Sequence, residues 1–353
     1  MKNFLRVIAI LCLVAVAGFI AYGLLVPARE VADSSAQQFI SSEQCKSCHP
    51  EVYAEWQDSW HAKAYVDPEV LQLSNHYKNE QCIDCHAPRP VFETGIGKPP
   101  LPRMSRRSEG VDCISCHAIN NNVAGANKNK TAACAPIYQP ALSSEQHCAG
   151  CHDQHFTVQE WKATPFAAEG KTCVSCHMLQ KKRANGIVGM DHSCPASHDP
   201  VEIKKALSII VKVEKDTLHV KVKNIGAGHH FPTDERSRAA DLLLKFPAAD
   251  GAPERIERLD RYRNPYRHEV GASAALPYRE ESPLLEKRPE STLLPYGVER
   301  SYSFKLPAAP RTAEVLLIYK TIPFPVDPAE VVHDKKSFDD KKSFMIFREE
   351  ITW

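Results

Sequence analysis

The sequence predicts three parts in order: an N-terminal transmembrane helix, a mostly α-helical and irregular domain rich in cysteine, and a C-terminal antiparallel β-sandwich-like domain. Three observations predict it. Residues 7–26 run for twenty positions without a charge; the pattern C-x-x-C-H recurs five times within residues 43–199; and from about residue 200 cysteine disappears and alternating apolar–polar runs begin. The parts are a helix over 1–26, a polar tether over 27–42, the cysteine-rich domain over 43–199 and the β domain over 200–353.

Residues 7–26, "VIAILCLVAVAGFIAYGLLV", are long enough to cross a bilayer. Secretory signal peptides have a shorter apolar core and an A-x-A-like cleavage site. "PAREVADSSA" offers no such site, so the segment reads as an uncleaved signal anchor. Lys2 and Arg6 precede it and keep the N-terminus cytoplasmic. The body then lies on the far side of the cytoplasmic (inner) membrane, in the periplasm. Cys12 follows bulky Leu11 within the apolar run and is no lipidation site. Formal net charge is only +1, which gives no bias toward nucleic acid. The 26 prolines against 15 glycines predict many fixed turns and short regular elements.

The five motifs are "CKSCH", "CIDCH", "CISCH", "CAGCH" and "CVSCH". Two thiols at this spacing can add to the two vinyl groups of one haem, and the next residue then lies under the ring to ligate iron. Zinc ribbons take four thiolates per ion and would strand the fifth pair and all five histidines. Disulfide frameworks need no histidine in this register, and a thioredoxin-like motif occurs once beside a βαβ pattern that is absent. The reading is five covalently bound haem c. Cys45, Cys48, Cys82, Cys85, Cys113, Cys116, Cys148, Cys151, Cys173 and Cys176 attach them, and His49, His86, His117, His152 and His177 are the proximal ligands. Haem c is attached outside the cytoplasm, where disulfides persist, so a Cys134–Cys194 bridge is an expectation.

A haem iron with one histidine has a sixth position that a second side chain can close. His61 follows His49 by twelve residues, a rise of roughly 18 Å on a straight helix, which directs it to a neighbouring haem. His147 directly precedes Cys148, and His155 follows His152 by three residues on a similar helix face. His76 is a further candidate on reach. His219, on an alternating strand, reads as structural.

Helices are expected within "PEVYAEWQDSWHAKAYV" and "QHFTVQEWKATPFAA", and a polar loop over residues 120–130. "LSIIVKVEKDTLHVKVKN" reads as two strands around a turn at "EKD". "ADLLLKFPAADG", "ERSYSFKLPAAP", "AEVLLIYKTIP" and "KSFMIFREEITW" read as further strands. The β domain contains no nucleophile constellation or phosphate loop, and its expected role is packing and docking.

"CKSCHPEVYAEWQDSWHAKAY", "CIDCHAP" and "EGVDCISCH" together resemble the multihaem cytochromes of the cytochrome c-552/4 type, which include the tetrahaem electron acceptor of bacterial hydroxylamine oxidation. "WKATPFAAEGKTCVSCHM", "DHSCPASHDP" and "NIGAGHHFPTDERSRAADLLLKF" look like segments of larger relatives with an appended β domain. The resemblance implies a Trp-x-x-Ser-x-His distal element, here ending at His61, and distal candidates His192 and His198 in "DH…SHD" and His229 in the "GAGH" turn. This sequence has five motifs rather than four and no C-x-x-C-K motif, so it departs from the tetrahaem member and from pentahaem nitrite reductases. The function read from all this is a membrane-anchored multihaem cytochrome carrying electrons between redox partner proteins, without a catalytic residue. The alternative is an oxidoreductase with one open haem acting on a nitrogen or sulfur compound.

Overall fold

The computed structural model describes residues 39–128, 133–233, 238–248, 251, 253–264, 290–321 and 343–353. The expected anchor and tether up to residue 38, and His268 and His333, lie outside them. Among the described residues no helix is long and apolar enough to cross a membrane. Phe39–Trp353 cluster as one compact unit.

The cysteine-rich half is a chain of short helices. The segment expected as one helix after the first motif is two, Pro50–Asp58 and Trp60–Lys63. Ser59 separates them with an extended backbone (φ −70°, ψ 161°), and its Oγ accepts the amide of Ala62. A residue of this kind caps a new helix by satisfying an otherwise orphan N–H. The break turns His61 off the axis of the first helix, so the straight-helix rise does not apply. The second expected helix is likewise divided, into Thr157–Lys162 and Pro165–Ala168; Pro165 starts the latter because its missing N–H costs nothing at a first helical position. Part of the expected loop at 120–130 is instead a ribbon. Strand β1 (Ala118–Ile119) pairs antiparallel with β2 (Asn122–Gly125), which pairs parallel with β3 (Ile137–Tyr138). Strands β4 (Gln180–Lys182) and β5 (Val188–Met190) form a second small hairpin.

One buried ion pair knits the first and third motifs. Arg103 meets Asp112 at 2.9 Å and also donates to the carbonyls of Pro88, Arg106 and Gly110. Asp112 caps helix Cys113–His117 through a reciprocal box with Ser115, and Ser42 Oγ accepts the amide of Cys113. Paired and fully bonded, the buried charges are tolerated where a lone one would not be.

The C-terminal half holds two antiparallel sheets over one shared core. Strands β6 (Leu207–Glu214) and β7 (Thr217–Asn224) form the expected hairpin, with Lys215 in the left-handed region (φ +56°) of the turn. The edge strand β10 (Glu299–Lys305) pairs with β7 on its other side. The second sheet has the order β12 (Ser343–Thr352), β11 (Thr312–Lys320), β8 (Ala239–Phe246), β9 (Arg255–Arg263). Leu218, Val220 and Val222 from the first sheet meet Leu242, Leu244, Val315 and Leu317 from the second. Each such fully buried side chain contributes roughly 1.5–3 kcal/mol. Strand β9 has no counterpart in the sequence reading. Its apolar residues fall at Ile256, Leu259 and Tyr262, because a bulge opposite Leu242 and Leu243 breaks the period-two alternation.

The outer face of β8 carries a buried charge cluster. Asp241, fully buried, accepts from Arg261 Nε at 2.6 Å and Nη2 at 2.8 Å, with Lys320 Nζ at 3.5 Å. Burial alone would raise the Asp241 carboxyl, but the hydrogen bonds and charge of Arg261 outweigh it and hold it below the ordinary value. Burial drives the Lys320 ammonium down to about 8 against the pull of Asp241. A depressed carboxyl contributes stability that is complete above its unfolded pKa and is lost as pH falls through the folded value. Asp241→Asn is therefore expected to cost about 3–5 kcal/mol at pH 7 and to flatten the acid limb of the stability curve. Urea titrations of both proteins at neutral and acid pH measure this; an equal loss at every pH would contradict it.

Candidate haem sites

Each motif forms a helical turn, which puts its two cysteines on one side and the histidine just beyond. In the first and fifth motifs the histidine amide donates to the carbonyl of the leading cysteine at 2.9 Å. The third motif is itself the helix Cys113–His117, and the fourth ends the helix Glu145–His152.

The imidazoles are prepared for metal. His86 Nδ1 is 2.7 Å from the Ala64 carbonyl, His117 Nδ1 2.9 Å from that of Ala124, and His177 Nδ1 2.9 Å from that of Pro195. His192 and His229 make the same bond, to Met190 at 2.9 Å and His230 at 2.8 Å. A carbonyl acceptor fixes the proton on Nδ1 and leaves Nε2 as the ligating nitrogen, the usual outer-shell arrangement of metal-bound histidine. The ribbon of β1–β3 has its purpose here, since β2 delivers the Ala124 carbonyl to His117.

Three motif histidines face a second histidine. Ring centroids are 6.0 Å apart for His61 and His152, 6.2 Å for His117 and His192, and 6.4 Å for His177 and His229. A nitrogen about 2.0 Å from a metal on each side, plus the half-width of each ring, gives roughly 6 Å across one ion. The gaps fit an iron with two axial imidazoles. Interplanar angles are 63°, 35° and 9° respectively. Burial pushes His61 down to about 4, which leaves its imidazole neutral at pH 7.

The other candidates are placed differently. His147 is pushed down to about 4 by burial, packs against Phe92, and has a buried Nδ1 without a hydrogen-bond partner among the described residues. His49 caps the helix Pro50–Asp58. His76 sits in a left-handed run with Asn75 and Tyr77, and His155 lies in the turn before helix Thr157–Lys162. His198 is turned elsewhere. It stacks on Trp60 at 3.6 Å, and its Nε2 lies 3.2 Å from Arg238 Nη2. The expected Cys134–Cys194 bridge is not formed. Cys134 is near Cys45 of the first motif, whereas Cys194 is near Cys116 of the third and Cys148 of the fourth.

His86 has Tyr77 as its ring neighbour, centroids 6.4 Å apart. The Tyr77 hydroxyl donates to the Tyr65 and Ala64 carbonyls, and Ala64 also takes His86 Nδ1. Tyr77 therefore backs the proximal side of His86. Neither Tyr77 nor the Trp60–His198 stack was singled out from the sequence, because both depend on residues meeting across loops.

The attachment thiols approach one another between motifs. Cys45 lies beside Cys113, Cys85 beside Cys151, and Cys148 beside Cys173. Cys116 acts electrostatically on both Cys148 and Cys151.

Repeated attachment motifs with facing imidazoles define a multihaem c-type cytochrome, and comparison with known proteins agrees. Residues 44–118 match the family described as cytochrome c554 and c-prime. Cytochrome c-554 of Nitrosomonas europaea is 26% identical over 160 residues, 37% of this chain and 66% of that protein, so this chain spans about two thirds of its relative's length. A solved penta-heme cytochrome c552 from Thermochromatium tepidum superposes with a TM-score of 0.61 at 19% identity, over 89% of this chain and 99% of that one, a likeness of fold. Motifs and comparisons together support a multihaem c-type cytochrome with covalently bound haem c.

Proposed function

We propose that the protein is a membrane-anchored periplasmic cytochrome with five haems, one per motif, that passes electrons between redox partner proteins. The observation that carries this is the set of facing histidines. An iron closed on both sides by imidazole exchanges electrons without binding substrate. We assign His61 to the fourth site, His192 to the third and His229 to the fifth. We assign His147, buried with its Nδ1 unpartnered among the described residues, to the first site. The thiol contacts support a wiring in which the first site neighbours the third, and the fourth neighbours the second, third and fifth. The anchor rests on residues 7–26. Membrane fractionation with N-terminal sequencing tests it; a soluble form beginning near residue 30 would contradict it.

The arrangement around His86 favours a second reading alongside the first. Among the described residues the ring beside His86 is that of Tyr77 and not a second imidazole, and we propose that the second haem is open and is where a nitrogen or sulfur compound would react. The reduced protein should bind one carbon monoxide per chain, measured by optical titration. No binding would leave a pure carrier.

A further inference from the structure

We propose that Glu160 is the positioning residue for His229, holding its imidazole opposite and nearly parallel to that of His177. This deepens the assignment of His229 to the fifth site and rests on it. Glu160 lies on helix Thr157–Lys162 with its side chain only 8% exposed. Its carboxylate takes three donors from one turn of the β half. Oε2 accepts the His230 amide at 3.1 Å and the Thr233 hydroxyl at 2.6 Å, and Oε1 lies 3.1 Å from His230 Nδ1. Thr157 Oγ1 adds a contact to Thr233 Oγ1 at 3.0 Å. The ring of His229 is oriented by its bond to the His230 carbonyl, so holding residue 230 holds that ring.

Phe166 of the cytochrome half packs under Gly228, and further restraints on this turn come from the β half itself. Asn224 Nδ2 donates to the His229 carbonyl at 2.8 Å and its Oδ1 accepts from Ala227 at 3.2 Å. Gly226 is required there, since a Cβ would stand 2.2 Å from the Lys205 carbonyl. The restraints from the β half shape the turn; they do not place it against the cytochrome half. Glu160 does. The next residue, Trp161, donates its Nε1 to the Lys171 carbonyl at 2.9 Å, two residues before Cys173. Adjacent side chains of one helix thus tie down the fifth motif and the arm carrying its facing histidine. This pair also has the smallest interplanar angle of the three, 9°.

Low-spin ferric haem reports this angle directly, because parallel imidazoles give a rhombic EPR signal and crossed ones a highly anisotropic signal. The test uses full-length holoprotein with haem counted in each sample. His229→Ala identifies the signal of the fifth site. Glu160→Ala should keep the native haem count but remove that rhombic signal, replacing it with a highly anisotropic or high-spin one. Glu160→Gln, which keeps an acceptor oxygen, should restore part of it. If Glu160→Ala does not accumulate, Thr233→Val removes the shortest of the three bonds and should shift the same signal the same way. Loss of a signal in His229→Ala but an unchanged spectrum in the Glu160 or Thr233 variants overturns this proposal alone. An unchanged spectrum in His229→Ala overturns the ligand assignment beneath it.

Discussion

Replacing Cys148 and Cys151 with Ser removes one covalent haem and divides those that remain into groups that exchange electrons slowly. The fourth motif is where the thiol contacts converge: Cys151 on Cys85, Cys148 on Cys173, and Cys116 near both. The first and third sites keep a direct link of their own, through Cys45 and Cys113. On the proposed wiring the second and fifth sites are then isolated. A pyridine haemochrome assay should fall from five haems to four per chain, and stopped-flow reduction should change from one dominant phase to several. Unchanged single-phase reduction with four haems would place the junction elsewhere.

The second large effect is at His229. His229→Ala opens the iron of the fifth site while both cysteines still hold the ring. One low-spin haem becomes high-spin, and the reduced protein binds one more carbon monoxide per chain than before. The His177 hydrogen bond to Pro195, 2.9 Å, does not involve His229, so attachment and proximal ligation are expected to survive the substitution. Retention of every low-spin signal would remove His229 from the ligands and leave the turn a corner of the domain contact.

The attachment motifs are legible in the sequence because covalent haem chemistry calls for two thiols and an imidazole within one helical turn. Facing histidines have no such local constraint. His61 meets His152 across the chain; reach from His49 and a Trp-x-x-Ser-x-His resemblance pointed toward it, but neither named its partner. The same style of inference named His198, whose environment is decided by Arg238 arriving from the β half. In that half the hairpin β6–β7 was readable from its clean alternation. Strand β9 was not, since its bulge converts the apolar spacing from two residues to three. Glu160 was invisible for a simpler reason. A glutamate on a short polar helix looks solvated until the turn it grips is brought to it.

Low-temperature EPR of the oxidised protein, with haem quantified in the same sample, tests the central claim most directly. The account predicts five haems per chain, four of them low-spin with two axial imidazoles and one high-spin at the second motif. Two or fewer haems in matured protein, or high-spin iron at most of the sites, would contradict a wired carrier built on these histidine pairs.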